Sequence, residues 1–194
     1  FSNNENFLIY SVDTIGNRYH DVYVKSFFED DITKILSNVE GDIQLSVDDK
    51  YLYYLNMNKS MRPNRLFRYD LEKKIHKNIY TENDETFSLS LSKSTDRNHI
   101  LLTSFSWESS HVFHIIDDSY KLLYKKEKDL FYSVDTFNDT WYIMYTKNND
   151  SKIVYTSDYK KYSTLLPNKE NLEYNDLFIK SHYLCCVYKE NGLN

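Results

Sequence analysis

Six histidines, two cysteines, three glycines and 29 acidic side chains bound the chemistry open to this chain of 194 residues. A serine nucleophile of the hydrolase kind sits in Gly-x-Ser-x-Gly, where the flanking glycines let a tight strand-to-helix elbow expose the hydroxyl beside its histidine. The glycines here are Gly16, Gly41 and Gly192, so no such elbow can be written, and a glycine-rich phosphate or dinucleotide loop fails for the same reason. The closest histidines, His111 and His114, are an odd number of positions apart, which on a strand sends them to opposite faces. With no Cys-x-x-Cys and no His-Glu-x-x-His, no metal and no other cofactor is expected. Cys185 and Cys186 are neighbours; on a strand they point to opposite faces and cannot form an ordinary disulfide. Their flanks Tyr183, Leu184, Val187 and Tyr188 predict a buried strand with reduced, structural thiols, and hence a cytoplasmic protein.

Carboxylates are abundant, but general acid–base work needs two of them converging in a cleft. Glu29-Asp30-Asp31, Asp48-Asp49 and Asp117-Asp118 fall where turns are expected and read as solvated turn residues. The segment Asp135–Trp141 has the outline of the sialidase Asp-box but lacks its turn glycine. The sequons at Asn58, Asn138 and Asn149 are what chance supplies in a chain rich in Asn and Ser. A formal net charge of −5 leaves no basic footprint, and the cationic cluster Lys125-Lys126-Glu127-Lys128 is interrupted by a carboxylate, so no nucleic-acid partner is expected. No run approaches the roughly 18 apolar residues that span a bilayer, the first residues carry no signal pattern, and no membrane partner is expected.

The elements that would position these groups are strands. Nineteen Tyr and 11 Phe stand against 3 Gly and 2 Pro, with aliphatic runs bounded by Asn, Asp, Ser and Lys. One shape recurs: a polar turn, an aromatic-aliphatic strand, a second turn, a second strand. Its copies at Phe7, Tyr51, His99, Trp141 and Tyr183 are 44, 48, 42 and 42 residues apart. Four strands per unit at that period is propeller spacing. The fold class expected is therefore all-β, a β-propeller fragment with about three complete four-stranded blades and partial blades at both ends. Its pieces run roughly 1–40, 41–85, 86–129, 130–168 and 169–194. The complete blades read Ile43–Ser46, Tyr51–Leu55, Leu66–Tyr69 and Lys77–Tyr80; then Phe87–Leu91, His99–Ser104, His111–Ile115 and Lys121–Tyr124; then Phe131–Thr136, Trp141–Tyr145, Lys152–Thr156 and Tyr162–Leu165. Asp70–His76 has the residues for one helical turn, but its short span predicts a loop.

Two blocks carry a family resemblance. Arg62-Pro-Asn-Arg-Leu-Phe-Arg-Tyr69, followed by the stretch from Ile79 through Glu82-Asn-Asp-Glu-Thr-Phe87 to Ser94, resembles the propeller of oligopeptidase B-like members of the prolyl oligopeptidase family. Leu165-Leu-Pro-Asn-Lys-Glu-Asn-Leu172 is similar to a second segment of that family, and the match continues from Leu184 through Glu190-Asn-Gly-Leu193. Tyr69 stands where the family commonly has His, and Asn83 interrupts an acidic run usually unbroken. The resemblance implies a seven-bladed propeller capping an α/β-hydrolase domain of the same chain, with that catalytic domain absent from these residues. It also implies short peptide substrates cleaved after Arg or Lys. Within the matching block Arg62, Glu82, Asp84 and Glu85 are the candidate residues of a substrate-gating or interdomain rim; no catalytic and no metal residue is assigned. The alternative is a propeller that acts as a protein-interaction scaffold, for which the WD40 dipeptides would be the mark, and these are absent.

The catalytic inventory gives a direct expectation. Purified residues 1–194 will hydrolyse neither Arg/Lys-ended nor Pro-ended reporter peptides, and turnover that persists after removal of contaminating proteases would refute it.

Overall fold

The computed structural model describes residues 1–148, 150–180 and 183–191. Asn149 of the third sequon, His182, and the Gly192-Leu193 end of the resemblance lie outside the described residues. Every helix or strand among the described residues is a strand. β1 (Phe7–Val12), β2 (His20–Ser26) and β3 (Ile32–Val39) form the first sheet, and β4 (Ile43–Leu45), β5 (Tyr51–Met57), β6 (Pro63–Asp70) and β7 (His76–Thr81) the second. The third holds β8 (Ser88–Lys93), β9 (Ile100–Phe105), β10 (Ser110–Ile116) and β11 (Ser119–Leu122). The fourth holds β12 (Leu130–Phe137), β13 (Thr140–Lys147), β14 (Asp150–Thr156) and β15 (Ser163–Leu166), and β16 (Leu172–Lys180) pairs with β17 (Tyr183–Glu190). In every sheet the order in space is the order in sequence, a meander of neighbouring strands. Residues 71–75 are a turn and loop, as their length predicts. The outer strand β11 starts two residues earlier than expected, because Asp117 takes a left-handed φ of 49° and closes the hairpin at once.

Turns in this glycine-poor chain are built from side chains. Ser46 Oγ donates to Asp48 (2.7 Å) and accepts the Tyr51 N–H (2.9 Å), while Asp49 supplies the positive φ. The same device recurs one unit later, where Ser94 Oγ donates to Asp96 (2.6 Å) and accepts the His99 N–H (3.1 Å), with Arg97 at positive φ. Asn and Asp tolerate the left-handed region because their short side chains bond the local backbone.

The chain divides into two compact units, Phe1–Ser92 with Ile115–Tyr120, and Lys93–His114 with Lys121–Asn194. In the first, Val22, Leu36 and Val39 pack with Leu52, Tyr54 and Tyr69, the first sheet lying on the second. In the second, Leu101, Val112 and Leu123 meet Leu130, Tyr132, Trp141, Ile143 and Val154; further along, Met144 and Ile153 meet Leu172, Tyr174, Leu177 and Ile179. Each fully buried aliphatic side chain contributes about 1.5–3 kcal/mol. Polar ties cross between the sheets. Ser110 Oγ donates to the Tyr132 carbonyl (3.0 Å) and accepts the Tyr132 N–H (2.8 Å), and Tyr132 OH accepts the Val112 N–H (3.0 Å). One sheet on, Ser151 Oγ accepts the Tyr174 N–H (3.1 Å).

The cysteine strand departs from expectation. Cys186 packs beside the last cluster, whereas Cys185 is exposed and both thiols are free. Tyr183, Val187 and Tyr188 are exposed as well, so β17 is half-covered rather than buried: among the described residues its one strand partner is β16, and its second face meets solvent.

Replacing Ser110 with Ala strands the buried Tyr132 N–H. It should lower the stability of the chain by about 1–3 kcal/mol, whereas exposed Ser119→Ala should stay within roughly 0.5 kcal/mol. Urea midpoints of the two variants measure the difference.

Candidate functional site

The four candidate residues come together in the first unit, at one end of the β4–β7 sheet. Asn58 organises the turn between β5 and β6. Its Oδ1 accepts N–H bonds from Ser60 (3.0 Å) and Arg62 (3.1 Å), and Met61 takes a positive φ of 57°. Held this way, Arg62 reaches across to the β7–β8 loop, where Nη1 donates to the backbone carbonyls of Asp84 (3.0 Å) and Phe87. Arg62 therefore staples the loop through its main chain rather than pairing with a carboxylate.

The acidic residues divide into three roles. Glu82 turns back on its own loop: Oε2 accepts the Tyr80 hydroxyl (2.8 Å) and Oε1 the Asp84 N–H (3.1 Å). Asp84 is a turn former, its Oδ1 accepting both the N–H (2.9 Å) and the hydroxyl (2.7 Å) of Thr86. Those two bonds, with the nearby Arg62 charge, hold its carboxyl below the ordinary range. Glu85 is exposed and offers its charge to solvent. The sequence groups these three as one acidic rim, and the structure leaves Glu85 as the member whose carboxylate is not committed to the loop.

The prolyl oligopeptidase N-terminal beta-propeller family model matches residues 1–194. The chain belongs to that family. Oligopeptidase B from Leishmania major superposes on this propeller with a TM-score of 0.84 at 21% identity, covering 97% of this chain and 28% of that one. Oligopeptidase B from Trypanosoma brucei gives 0.80 at 19% identity, with 96% and 28% covered. Prolyl oligopeptidase B from Galerina marginata gives 0.71 at 18% identity, with 98% and 31% covered. The propeller segment thus spans under a third of these structures. No curated protein sequence matches it.

One sequence reading of the propeller needs correction. Asp117-Asp118 is no idle turn: Asp118 pairs with Arg68 (2.6 Å) and Lys77 (2.6 Å), and the Asp117 carbonyl accepts the Tyr53 hydroxyl (3.1 Å). Arg68 also lies 4.1 Å over the Tyr51 ring, the packing and ion-pair role its strand position suggests. A histidine contact that strand counting does not reveal joins His99 with His114. In the second unit, His99 Nδ1 and His114 Nε2 are hydrogen-bonded at 3.1 Å, and His114 Nδ1 bonds the Tyr159 hydroxyl at 3.3 Å. Trp141 packs 4.8 Å from the His99 ring and 4.9 Å from the His114 ring, and Lys121 Nζ sits 3.8 Å over Tyr159.

Burial, with His99 and Lys121 adding to it, pushes His114 down from 6.5 to about 4. The unfolded chain takes up this proton as pH drops below 6.5, and the folded one resists until about 4. Stability should be full above that window and fall through it by up to about 3 kcal/mol. Chemical denaturation at pH 7.5 and 4.5, followed by Trp141 fluorescence, should show a drop that His114→Phe largely removes; equal drops would exclude His114 as its source.

Proposed function

We propose that this propeller is the noncatalytic, access-controlling part of a serine-type oligopeptidase that cleaves short peptides after basic residues. The observation that carries the reading is the family match along the whole chain. Topology adds where a joined domain would be tethered. A meander of four strands begins and ends at the same end of its sheet, so the chain enters and leaves each blade on one side. The β5–β6 and β7–β8 loops, with Arg62, Glu82, Asp84 and Glu85, lie at that end of the β4–β7 sheet. An α/β-hydrolase domain of the same polypeptide is the partner this arrangement suits. Glu85 then acts as an exposed negative charge at the approach used by cationic peptides, while Arg62, Glu82 and Asp84 hold the loop that carries it.

Exposed charges are screened over about 8 Å at physiological ionic strength. In the complete enzyme, Glu85→Gln should lower kcat/KM for Arg-ended peptides several-fold at low salt, with the effect vanishing near 0.5 M salt and neutral peptides unaffected. Asp84→Ala should act on both peptide classes, because it releases the Thr86 turn. Identical kinetics for Glu85→Gln at both ionic strengths would make that carboxylate ordinary surface.

A further inference from the structure

The β9–β10 connection displays the most exposed large apolar side chain of the described residues. Trp107 is 99% exposed, while the other tryptophan, Trp141, is 2% exposed. The turn beneath Trp107 is locked rather than loose. Ser106 N–H donates to the Ser109 carbonyl (2.9 Å), and Ser106 Oγ accepts the N–H groups of Glu108 (3.1 Å) and Ser109 (3.2 Å). Phe105, 44% exposed, precedes the turn, and Glu108 reaches Lys128 at 3.8 Å beside it.

An aromatic anchor on a rigid turn, edged by a polar pair, has the composition of an interface hot spot: a large apolar surface ordered in advance, with charges at its margin. A tryptophan offers about 150–250 Å² for burial, and on this turn none of it is used within the chain. Position names the occupant. The chain enters β8 and leaves β11 at the same end of their sheet, and the β9–β10 turn is at that end too. A domain joined to the propeller is tethered on that side, and the matched oligopeptidase B structure from Leishmania major is longer by nearly three-quarters of its length.

We propose that Trp107 is an anchor by which the propeller grips the peptidase domain of the same polypeptide. The inference rests on the peptidase reading given above, and its test separates the two. In the complete polypeptide, Trp107→Ser is compared with the unaltered protein and with Trp107→Phe by small-angle scattering, sedimentation and limited proteolysis of the interdomain connections. The serine variant should show a larger radius of gyration and at least threefold faster cleavage of those connections, with an unchanged far-ultraviolet circular dichroism spectrum. The phenylalanine variant should fall between. Unchanged scattering and cleavage in Trp107→Ser overturn the anchor, as does a dimer that the serine variant converts to monomer, since the indole would then hold a second copy. Labelling with a fluorophosphonate probe reports separately on the peptidase reading. Its failure removes that reading, while scattering still decides whether Trp107 joins the two domains.

Discussion

A sheet of four short strands in this chain has apolar side chains on both faces and cannot cover either from within. β5 and β10 are buried along almost their whole lengths, and the aromatic and aliphatic side chains they present to both faces are what a strand covered on two sides requires. Within each compact unit, one sheet therefore depends on its neighbour for its core. In both compact units the apolar clusters lie between consecutive sheets rather than inside one. The buried polar groups follow the same logic, since Ser110 and Ser151 satisfy backbone donors of the sheet that comes after them. Loops are left to the sheet ends, where charge and aromatic side chains can face outward without disturbing that packing.

Scarcity of glycine sets the second constraint. Fifteen non-glycine residues of the described chain hold positive φ, nine of them Asn or Asp, and neighbouring carboxylates secure the turns. Asp158 accepts the N–H groups of Lys160 and Lys161 (both 2.9 Å), which helps hold its carboxyl down at about 2. Carboxylates occupied in this manner are poor acid–base catalysts at neutral pH, because they stay ionised and their lone pairs already have partners. Asp84 and Asp158 belong to this class, whereas the exposed Glu85 does not.

Much of this was legible in the sequence, and the limits were physical. Strand positions followed from the period near 45 residues and from the turn chemistry around Ser46 and Ser94, and most strand bounds moved by a residue or two. Family membership was written in the Arg62–Ser94 block. What remained hidden were contacts between residues far apart along the chain, such as Arg68 with Asp118 and His99 with His114. Facing direction on a strand can be counted, but the partner across a sheet depends on register. The half-covered state of β17 was hidden for another reason: an apolar run such as Tyr183–Tyr188 reads the same whether one face or both are covered. The separate roles of Glu82, Asp84 and Glu85 depend on loop hydrogen bonds that composition cannot show.

The even number of strands per blade has an evolutionary side. Because the chain returns to its starting side after every fourth strand, a whole blade can be duplicated or lost without moving the points where neighbouring domains attach. An odd number would throw the following segment to the opposite side and demand a long return path. Lineages built on such a repeat are free to alter the circumference of the ring while keeping the same fusion point. Loops lengthened on that side would reach a domain fused there, and loops lengthened on the other side would be invisible to it.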